Sequence, residues 1–208
     1  MFIVRPYKKS DLEGCTQCYI EGFFDVSLSK NDYKYLRDYT QCSIEMSNFC
    51  FVAEFEGDIA GFVCGMYKDS FDKKLADIKV NRCNKFIFMK VLFKSLFSDY
   101  FLSNKFRNYL RKIELRANER SKLKTLDQCD CELALISSKK KYRKGVGTAL
   151  TNALVDQCRN TGVATIHVFT NTTVSYKFYE HYGMQCIEKV PYSFESEGES
   201  LVYEYKVE

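Results

Sequence analysis

The stretch from Cys131 to Gly162 constrains the fold more than any other part of this sequence. It begins with the apolar run 132–136, continues through a polar, strongly basic loop over 137–144, reaches Gly145-Val146-Gly147, and then shows helical periodicity over 148–159. This order predicts a strand, a glycine loop and a helix. Glycine lets the backbone approach a ligand closely, and the first amides of a helix attract phosphate. An ordinary strand-to-helix turn is still the more common explanation of a lone Gly-x-Gly.

Length and composition place the chain among ordinary globular proteins. Its 208 residues, 46% hydrophobic and 28% charged, predict one domain or one domain with an insertion. Residues 1–6 lack the apolar run of a signal peptide. The ten cysteines are scattered through apolar segments, which is typical of reduced thiols in a cytoplasmic protein. No metal site is expected, because neither Cys15-x-x-Cys18 nor Cys129-x-Cys131 has a second pair at metal-ligand spacing.

A basic segment interrupts the otherwise slightly acidic chain. Residues 68–127 hold sixteen Lys and Arg against seven Asp and Glu. Residues 85–102 form an apolar stretch interrupted by Lys90, Lys94 and Asp99, so they fall short of a membrane span and predict a buried or surface helix. A second helix is predicted over 104–118. This segment could cover an acceptor site and attract an acidic substrate, contact nucleic acid, or mediate dimerisation and core packing. Dimerisation and plain core packing together are the favoured alternative, so a homodimer is one candidate partner; nucleic acid is not favoured, and stable membrane insertion is not expected.

The remaining elements follow in a regular order. Strands are predicted over 2–6, 49–55, 59–67, 132–136, 164–169, 184–190 and 201–207. Helices are predicted over 10–24, where Ser10 and Glu13 would form a capping box, and over 30–46, 148–159 and 173–182. Glu56-Gly57-Asp58 predicts a hairpin turn, since glycine supplies a positive φ. The order predicts an α/β domain with a mixed sheet.

A second motif lies after the glycine loop, in Asn171-x-x-x-Ser175-x-x-Phe178-Tyr179-Glu180-x-x-Gly183-Met184. With the element order and the loop, it resembles the GNAT superfamily of acetyl-CoA-dependent N-acetyltransferases. The resemblance covers about 1–67 and 128–207. It implies a single GNAT-like α/β domain over 1–208, with a mixed, mostly antiparallel sheet flanked by helices. The basic helical insertion over 68–127 would lie between the third and fourth strands.

The resemblance also implies a binding site for acetyl-CoA as cosubstrate. The family pattern Gln/Arg-x-x-Gly-x-Gly/Ala places Tyr142 at its first position, a departure that leaves the cradle for the pyrophosphate to main-chain amides. The implied pyrophosphate cradle consists of Arg143, Lys144, Gly145, Val146, Gly147 and Thr148. Asn171 would contact the pantetheine, and an amide of Leu135 or Ile136 would stabilise the oxyanion.

The resemblance implies two catalytic residues. Tyr179 would act as general acid toward the CoA thiolate, although a core aromatic is the competing interpretation. Glu132 would act as general base with a pKa raised by its apolar surroundings, or else it pairs with a neighbouring Lys. His167 is expected to be a hydrogen-bonded strand histidine. The implied reaction is acetyl transfer to an amine of a small molecule or protein. The alternative is a non-catalytic CoA-binding or sensor module of the same fold.

Overall fold

A computed structural model describes residues 2–25, 27–68, 89, 91, 93–94, 97 and 101–208. The strands are β1 (Ile3–Pro6), β2 (Phe49–Phe55), β3 (Asp58–Tyr67), β4 (Cys131–Ser138), β5 (Thr165–Asn171), β6 (Gln185–Pro191) and β7 (Glu199–Lys206). The helices among the described residues are α1 (Leu12–Phe23), α2 (Lys30–Met46), α3 (Asn104–Asn118), α4 (Val146–Asn160) and α5 (Lys177–Tyr182).

Several predicted elements are confirmed. Helices α2 and α3 have the bounds expected from the sequence, and β2 and β3 form the predicted hairpin. Its turn places Glu56 and Gly57 at φ of 50° and 80°, a conformation that glycine adopts without strain. Most of the apolar stretch predicted as a helix over 85–102 lies outside the described residues.

Two predicted helix starts are wrong. The Ser10–Glu13 capping box is not formed, because residues 9–11 make a 3₁₀ turn in which the Asp11 carboxylate accepts from the Lys8 amide at 2.7 Å. Helix α5 begins at Lys177, because Asn171 and the residues after it form a turn closed by the Asn171 side chain. In both places a short polar side chain competes successfully for main-chain groups that a longer helix would have used.

The strands form a mixed seven-stranded sheet in the order β1-β2-β3-β4-β5-β7-β6. The β1–β2, β2–β3, β5–β7 and β6–β7 pairs are antiparallel, whereas β4 and β5 are parallel. The predicted α/β fold with a mixed sheet and flanking helices is confirmed.

The chain forms two compact units, whose boundaries fall within β3, β4, α3 and α4. The first unit comprises Met1–Met66, Lys79–Tyr109 and Leu135–Leu154. Arg5 ties β1 to the rest of this unit, because its guanidinium contacts Asp11 and Glu54, each at 2.7 Å. Asp32, which is fully buried, accepts hydrogen bonds from the Ser103 amide at 2.9 Å and the Ser103 hydroxyl at 2.7 Å.

The second unit comprises Tyr67–Ile78, Leu110–Ala134 and Val155–Glu208. In it, the segment 119–127, which we call the strap, follows α3 and contacts β4, β5, β6 and β7. Leu123 and Leu126 pack with Val202 of β7. The Thr125 carbonyl contacts His167 Nδ1 of β5 at 3.0 Å, and Glu188 of β6 accepts from the Thr125 amide at 2.9 Å. The division of the chain into one domain with an insertion over 68–127 stays a prediction. Within the described ranges, no helix is long and apolar enough to cross a membrane.

Candidate active site

The glycine loop ends where α4 begins. Gly145 has a φ of +87°, in the left-handed region that favours glycine. The first α4 hydrogen bond runs from the Ala149 amide to the Gly145 carbonyl at 3.0 Å. The amides of Val146, Gly147 and Thr148 therefore precede the helical ladder and are available to a ligand. Val146 is buried and anchors this turn, whereas Gly145 and Thr148 are exposed.

Asp58, at the start of β3, contacts the basic loop 137–144 that precedes α4. Its carboxylate contacts Lys139 Nζ at 2.5 Å and Lys141 Nζ at 3.0 Å, and it accepts from the Tyr142 hydroxyl at 3.2 Å. Hydrogen bonds from Lys139 lead these contacts in lowering the pKa of Asp58 to about 2. Two of the loop's cations are thus neutralised within the protein, and the exposed side chains of Arg143 and Lys144 remain on the solvent side.

This anchor explains the departure from the family pattern at Tyr142. The side chain at the pattern's first position is engaged with Asp58. The sequence analysis missed Asp58, which appeared only as a turn residue. Nothing in the sequence around Asp58 indicates that its partners lie about eighty positions further along the chain.

Strand β4 carries three candidate residues. Glu132 lies in the part of the strand that pairs with β5, and Leu135 and Ile136 lie beyond it. Its parallel ladder with β5 joins Cys131 to Ile166 and Glu132 to His167, and the recorded pairing ends there. Leu135 and Ile136 follow on the same strand and are half-buried. A strand that leaves its neighbour in this way has main-chain groups to offer a ligand.

Glu132 has the environment of a structural carboxylate. It is 1% exposed. Arg120 Nη1 and Nη2 donate to its two oxygens at 2.6 and 2.7 Å, and Lys68 Nζ donates at 2.7 Å. Burial alone would raise the pKa of Glu132, but these two cations together hold it below its ordinary value. The expectation of a raised pKa is therefore wrong, and the pairing with a neighbouring cation is confirmed.

Arg120 is a residue that the sequence analysis missed. It lies in the strap, and its guanidinium is 6.0 Å from the centre of the Phe169 ring of β5 as well as on Glu132 of β4. Arg120 thus contacts both parallel strands near the end of their ladder. Only the excess of basic residues over 68–127 hinted at such a partner.

Tyr179 lies on the short helix α5 in the second unit. Its side chain is 8% exposed and packs against the Tyr203 ring, with centroids 5.7 Å apart. Burial raises the pKa of Tyr179, so the phenol keeps its proton. Within the described residues its hydroxyl makes no hydrogen bond. A protonated, unpartnered phenol can donate to a ligand, and its ring also serves the core.

Asn171 ends β5 in the same unit. Its side-chain oxygen accepts from the Thr173 amide at 3.0 Å and from the Thr173 hydroxyl at 2.5 Å. The carboxamide N–H₂ group is the part of this side chain left to donate to a ligand. The structure describes Asn171 and Tyr179 in the second unit with Glu132, and the loop residues with Leu135 and Ile136 in the first.

The contacts of the two histidines are structural. The described part of the chain contains no group of residues that could bind a metal ion. His167 contacts the Thr125 carbonyl at 3.0 Å and Glu204 at 3.1 Å, which confirms the expected hydrogen-bonded strand histidine. His181 Nδ1 contacts the Lys177 carbonyl on α5. Among the residues described, no group of His, Cys, Asp and Glu could hold a metal ion.

Solved structures of acetyltransferases share this fold. An N-acetyltransferase from Staphylococcus aureus Mu50 is 15% identical, with a TM-score of 0.57 over 100% of this chain and 99% of its own. The protein yncA from Salmonella typhimurium, in a structure with its cofactor acetyl-CoA, is 12% identical, with a TM-score of 0.58 over 100% and 95%. A histone acetyltransferase HPA2 and related acetyltransferase from Corynebacterium glutamicum ATCC 13032 is 15% identical, with a TM-score of 0.58 over 98% and 94%. At these identities, the similarity shows the fold.

One part of the sequence matches a family model. Residues 115–184 match the model of the Acetyltransferase (GNAT) family. The match covers 70 of the 208 residues and agrees with the acetyltransferase fold of the solved structures. A search of curated protein sequences finds none that matches the chain.

Proposed function

We propose that this protein transfers the acetyl group of acetyl-CoA to a primary amine by direct attack on the thioester. The start of α4 carries this proposal. Three amides, those of Val146, Gly147 and Thr148, precede the first helical hydrogen bond, and the positive φ of Gly145 turns the chain into them. An anion is stabilised by such amides and by the helix dipole. The exposed Arg143 and Lys144 add charge for the pyrophosphate.

The remaining candidates fit other parts of the donor. An amide of Leu135 or Ile136 would donate to the thioester carbonyl and stabilise the negative charge that develops on its oxygen. The carboxamide of Asn171 would donate to the pantetheine. Leu135 and Ile136 lie in the second half of β4, and Asn171 is the last residue of β5.

Tyr179 is the proposed general acid. In the reaction the amine nitrogen forms a bond to the acetyl carbon, the carbon–sulfur bond breaks, and the phenol of Tyr179 protonates the departing thiolate. Its protonated state and its unpartnered hydroxyl among the described residues support this role.

The general base is assigned differently from the sequence expectation. Because both oxygens of Glu132 accept hydrogen bonds from Arg120, and Lys68 adds a further ion pair, its carboxylate is a weak proton acceptor. We assign Glu132 to fixing the end of the β4–β5 ladder, and we propose that the amine loses its proton to water. The nine described cysteines, all free thiols, support a reducing compartment, and the cytoplasm is the proposed location.

Thiol release from acetyl-CoA in the presence of a broad panel of primary amines tests this function. We expect release that depends on both acetyl-CoA and amine, with saturation in each. If calorimetry shows acetyl-CoA binding but no amine in the panel causes thiol release, the chain is a CoA-binding module and the proposed reaction is excluded.

A further inference from the structure

Tyr179, the proposed general acid, lies on a helix that is too short to fix its own direction. Helix α5 comprises the six residues Lys177–Tyr182. Isolated helices of this length are not stable in water, so packing against the rest of the unit must set how α5 is turned about its axis. The Tyr179 hydroxyl makes no hydrogen bond among the described residues. The direction of the phenol therefore depends on what holds α5.

Tyr203 of β7 contacts this helix from the sheet. Strand β7 lies between β5 and β6, and Tyr203 is the register partner of Val168 on one side and of Cys186 on the other. Tyr203 is 0% exposed. Side chains in a close-packed interior have little free space and keep one rotamer. Tyr203 is therefore a rigid group to which α5 can attach.

Two consecutive residues of α5 contact Tyr203. The Tyr203 ring packs against the Tyr179 ring, with centroids 5.7 Å apart and planes inclined by 32°. The Tyr203 hydroxyl donates to Glu180 Oε1 at 2.7 Å. Consecutive side chains of a helix point about 100° apart, so a rigid group that contacts both of them prevents the helix from rotating.

The hydrogen bond to Glu180 gives the attachment its direction. Burial, followed by the bond to Glu180, raises the pKa of Tyr203, so its phenol stays protonated and donates. A hydroxyl that donates to a carboxylate makes a short, strong bond, and the 2.7 Å distance agrees with this. Burial of apolar ring surface is not directional, so the hydrogen bond fixes the rotation more closely than the ring contact does.

A second pair of tyrosines lies further along the same helix. Tyr182 of α5 packs against Tyr205 of β7, with centroids 5.7 Å apart. Tyr179 and Tyr182 are three residues apart on a helix, and Tyr203 and Tyr205 are two apart on a strand, so each couple shares a face of its element. Both pairs keep α5 on the sheet, and Tyr203 adds the bond to Glu180.

We propose that Tyr203 is a positioning residue, which through its hydrogen bond to Glu180 turns α5 so that the Tyr179 hydroxyl points at the sulfur of CoA. Tyr203 itself does not touch the reacting atoms. The inference rests on the proposed function, because it concerns the general acid of the same reaction. It can nevertheless be tested on bound CoA, without transfer of an acetyl group.

The thiol of bound CoA reports on this positioning directly. A phenol that donates to the sulfur favours the thiolate, so it lowers the pH at which the bound thiol titrates. ¹³C nuclear magnetic resonance of CoA labelled at the carbon next to its sulfur follows this titration in the full chain at saturating CoA. Tyr179→Phe should raise the midpoint by about one to two pH units, the size expected for one hydrogen bond to a charged group.

Tyr203→Phe is the decisive variant, because it keeps the ring and removes only the hydroxyl. It should raise the midpoint in the same direction by about half a pH unit or more. An unchanged midpoint in Tyr203→Phe, alongside a raised midpoint in Tyr179→Phe, overturns the inference. If Tyr179→Phe itself leaves the midpoint unchanged, Tyr179 does not reach the sulfur, and the general acid and the inference are both wrong.

The double variant separates positioning from a direct effect on the thiol. If Tyr203 acts only through Tyr179, Tyr203→Phe adds nothing to the shift of Tyr179→Phe, whereas additive shifts would overturn the positioning role. Tyr205→Phe is the matched control, because it removes a hydroxyl from the same face of β7 and should leave the midpoint at the parent value. An equal shift in Tyr205→Phe would mean a general loosening of α5 and would also overturn the inference.

Variants of Glu180 test the hydrogen bond from its other end. Glu180→Gln keeps an oxygen that can accept from Tyr203, whereas Glu180→Ala keeps none. We expect the midpoint of Glu180→Gln to lie near that of the parent, and the midpoint of Glu180→Ala to match that of Tyr203→Phe. Equal shifts in the two Glu180 variants would assign the effect to the charge of Glu180 and contradict its role as the acceptor.

Transfer assays separate this inference from the proposed function. If the thiol shifts are seen but no amine accepts an acetyl group, the proposed reaction fails and the positioning by Tyr203 stands. If amines accept the acetyl group, and Tyr179→Phe slows thiol release while Tyr203→Phe keeps the parent rate, the function stands and the inference is overturned.

Discussion

Arg120 donates two hydrogen bonds to Glu132, at 2.6 and 2.7 Å, and so joins the strap after α3 to the last residue of β4 in its ladder with β5. This bidentate geometry satisfies both oxygens of a carboxylate that is otherwise enclosed by protein. Lys68, just after β3, contacts the same carboxylate at 2.7 Å. Glu132 therefore contacts the first residue of the basic segment 68–127 and a second residue near its end.

Removing one partner of this buried pair should be costly. Arg120→Ala leaves the Glu132 charge with one cation, and we expect a loss of about 3 kcal/mol in the free energy of unfolding. Urea denaturation measures this loss. Arg111→Ala, an exposed arginine of α3, should cost less than about 0.5 kcal/mol. Equal and small losses in the two variants would show that the Arg120–Glu132 pair contributes little.

Gly145 should be required for binding the donor, beyond its effect on stability. Gly145→Ala places a side chain at a φ of +87° and should cost about 1–2 kcal/mol in unfolding free energy. It should also weaken acetyl-CoA binding, measured by calorimetry, because it moves the first amides of α4. The matched control is Gly162→Ala, at the other end of α4 with a φ of +74°. It should cost similar stability and leave acetyl-CoA affinity unchanged, and a parallel loss of affinity would contradict the assigned role of the loop.

The contribution of Asp58 to the free energy of unfolding should decrease at acidic pH. The pKa of Asp58 is lowered from 3.8 to about 2, so its contribution to stability is complete above its ordinary pKa and is lost as the pH falls toward 2. Asp58→Asn should therefore be less stable than the parent at neutral pH by about 1 kcal/mol or less, since the ion pairs are partly exposed. Unfolding curves from pH 7 to 2 should show this gap closing below pH 4. A gap that stays constant over the range would mean that the Asp58 charge does not hold the loop.

The contrast between Gly145 and Glu132 shows what the sequence could predict. Gly145-Val146-Gly147 lies between a strand and a helix, so local pattern alone was enough to predict the loop, and the bounds of α2 and α3 followed from the pattern of their side chains. The environment of Glu132 depends on Lys68 and Arg120, which are distant in sequence, and any of many lysines and arginines could have been its partner. The pKa shift therefore took the opposite sign to the one expected from an apolar run.

The motif that follows β5 was likewise predicted only in part. The pattern from Asn171 to Gly183 correctly placed Tyr179 on a helix that ends at a left-handed glycine, with a φ of +95°. A turn at Asn171 was also expected, but the helix was predicted to start near Thr173, whereas it starts at Lys177. A side chain's choice between capping a helix and closing a turn depends on where the neighbouring strand ends.

Single-turnover acetyl transfer by Tyr179→Phe tests the central claim most directly. The substitution keeps the ring that packs on Tyr203 and removes the phenolic proton, so the rate of thiol release should fall about a hundredfold, with acetyl-CoA affinity unchanged. Tyr182→Phe, on the same short helix, is the control and should keep the parent rate. If Tyr179→Phe transfers acetyl at the parent rate across the pH range, Tyr179 is a core aromatic and the proposed general acid is wrong.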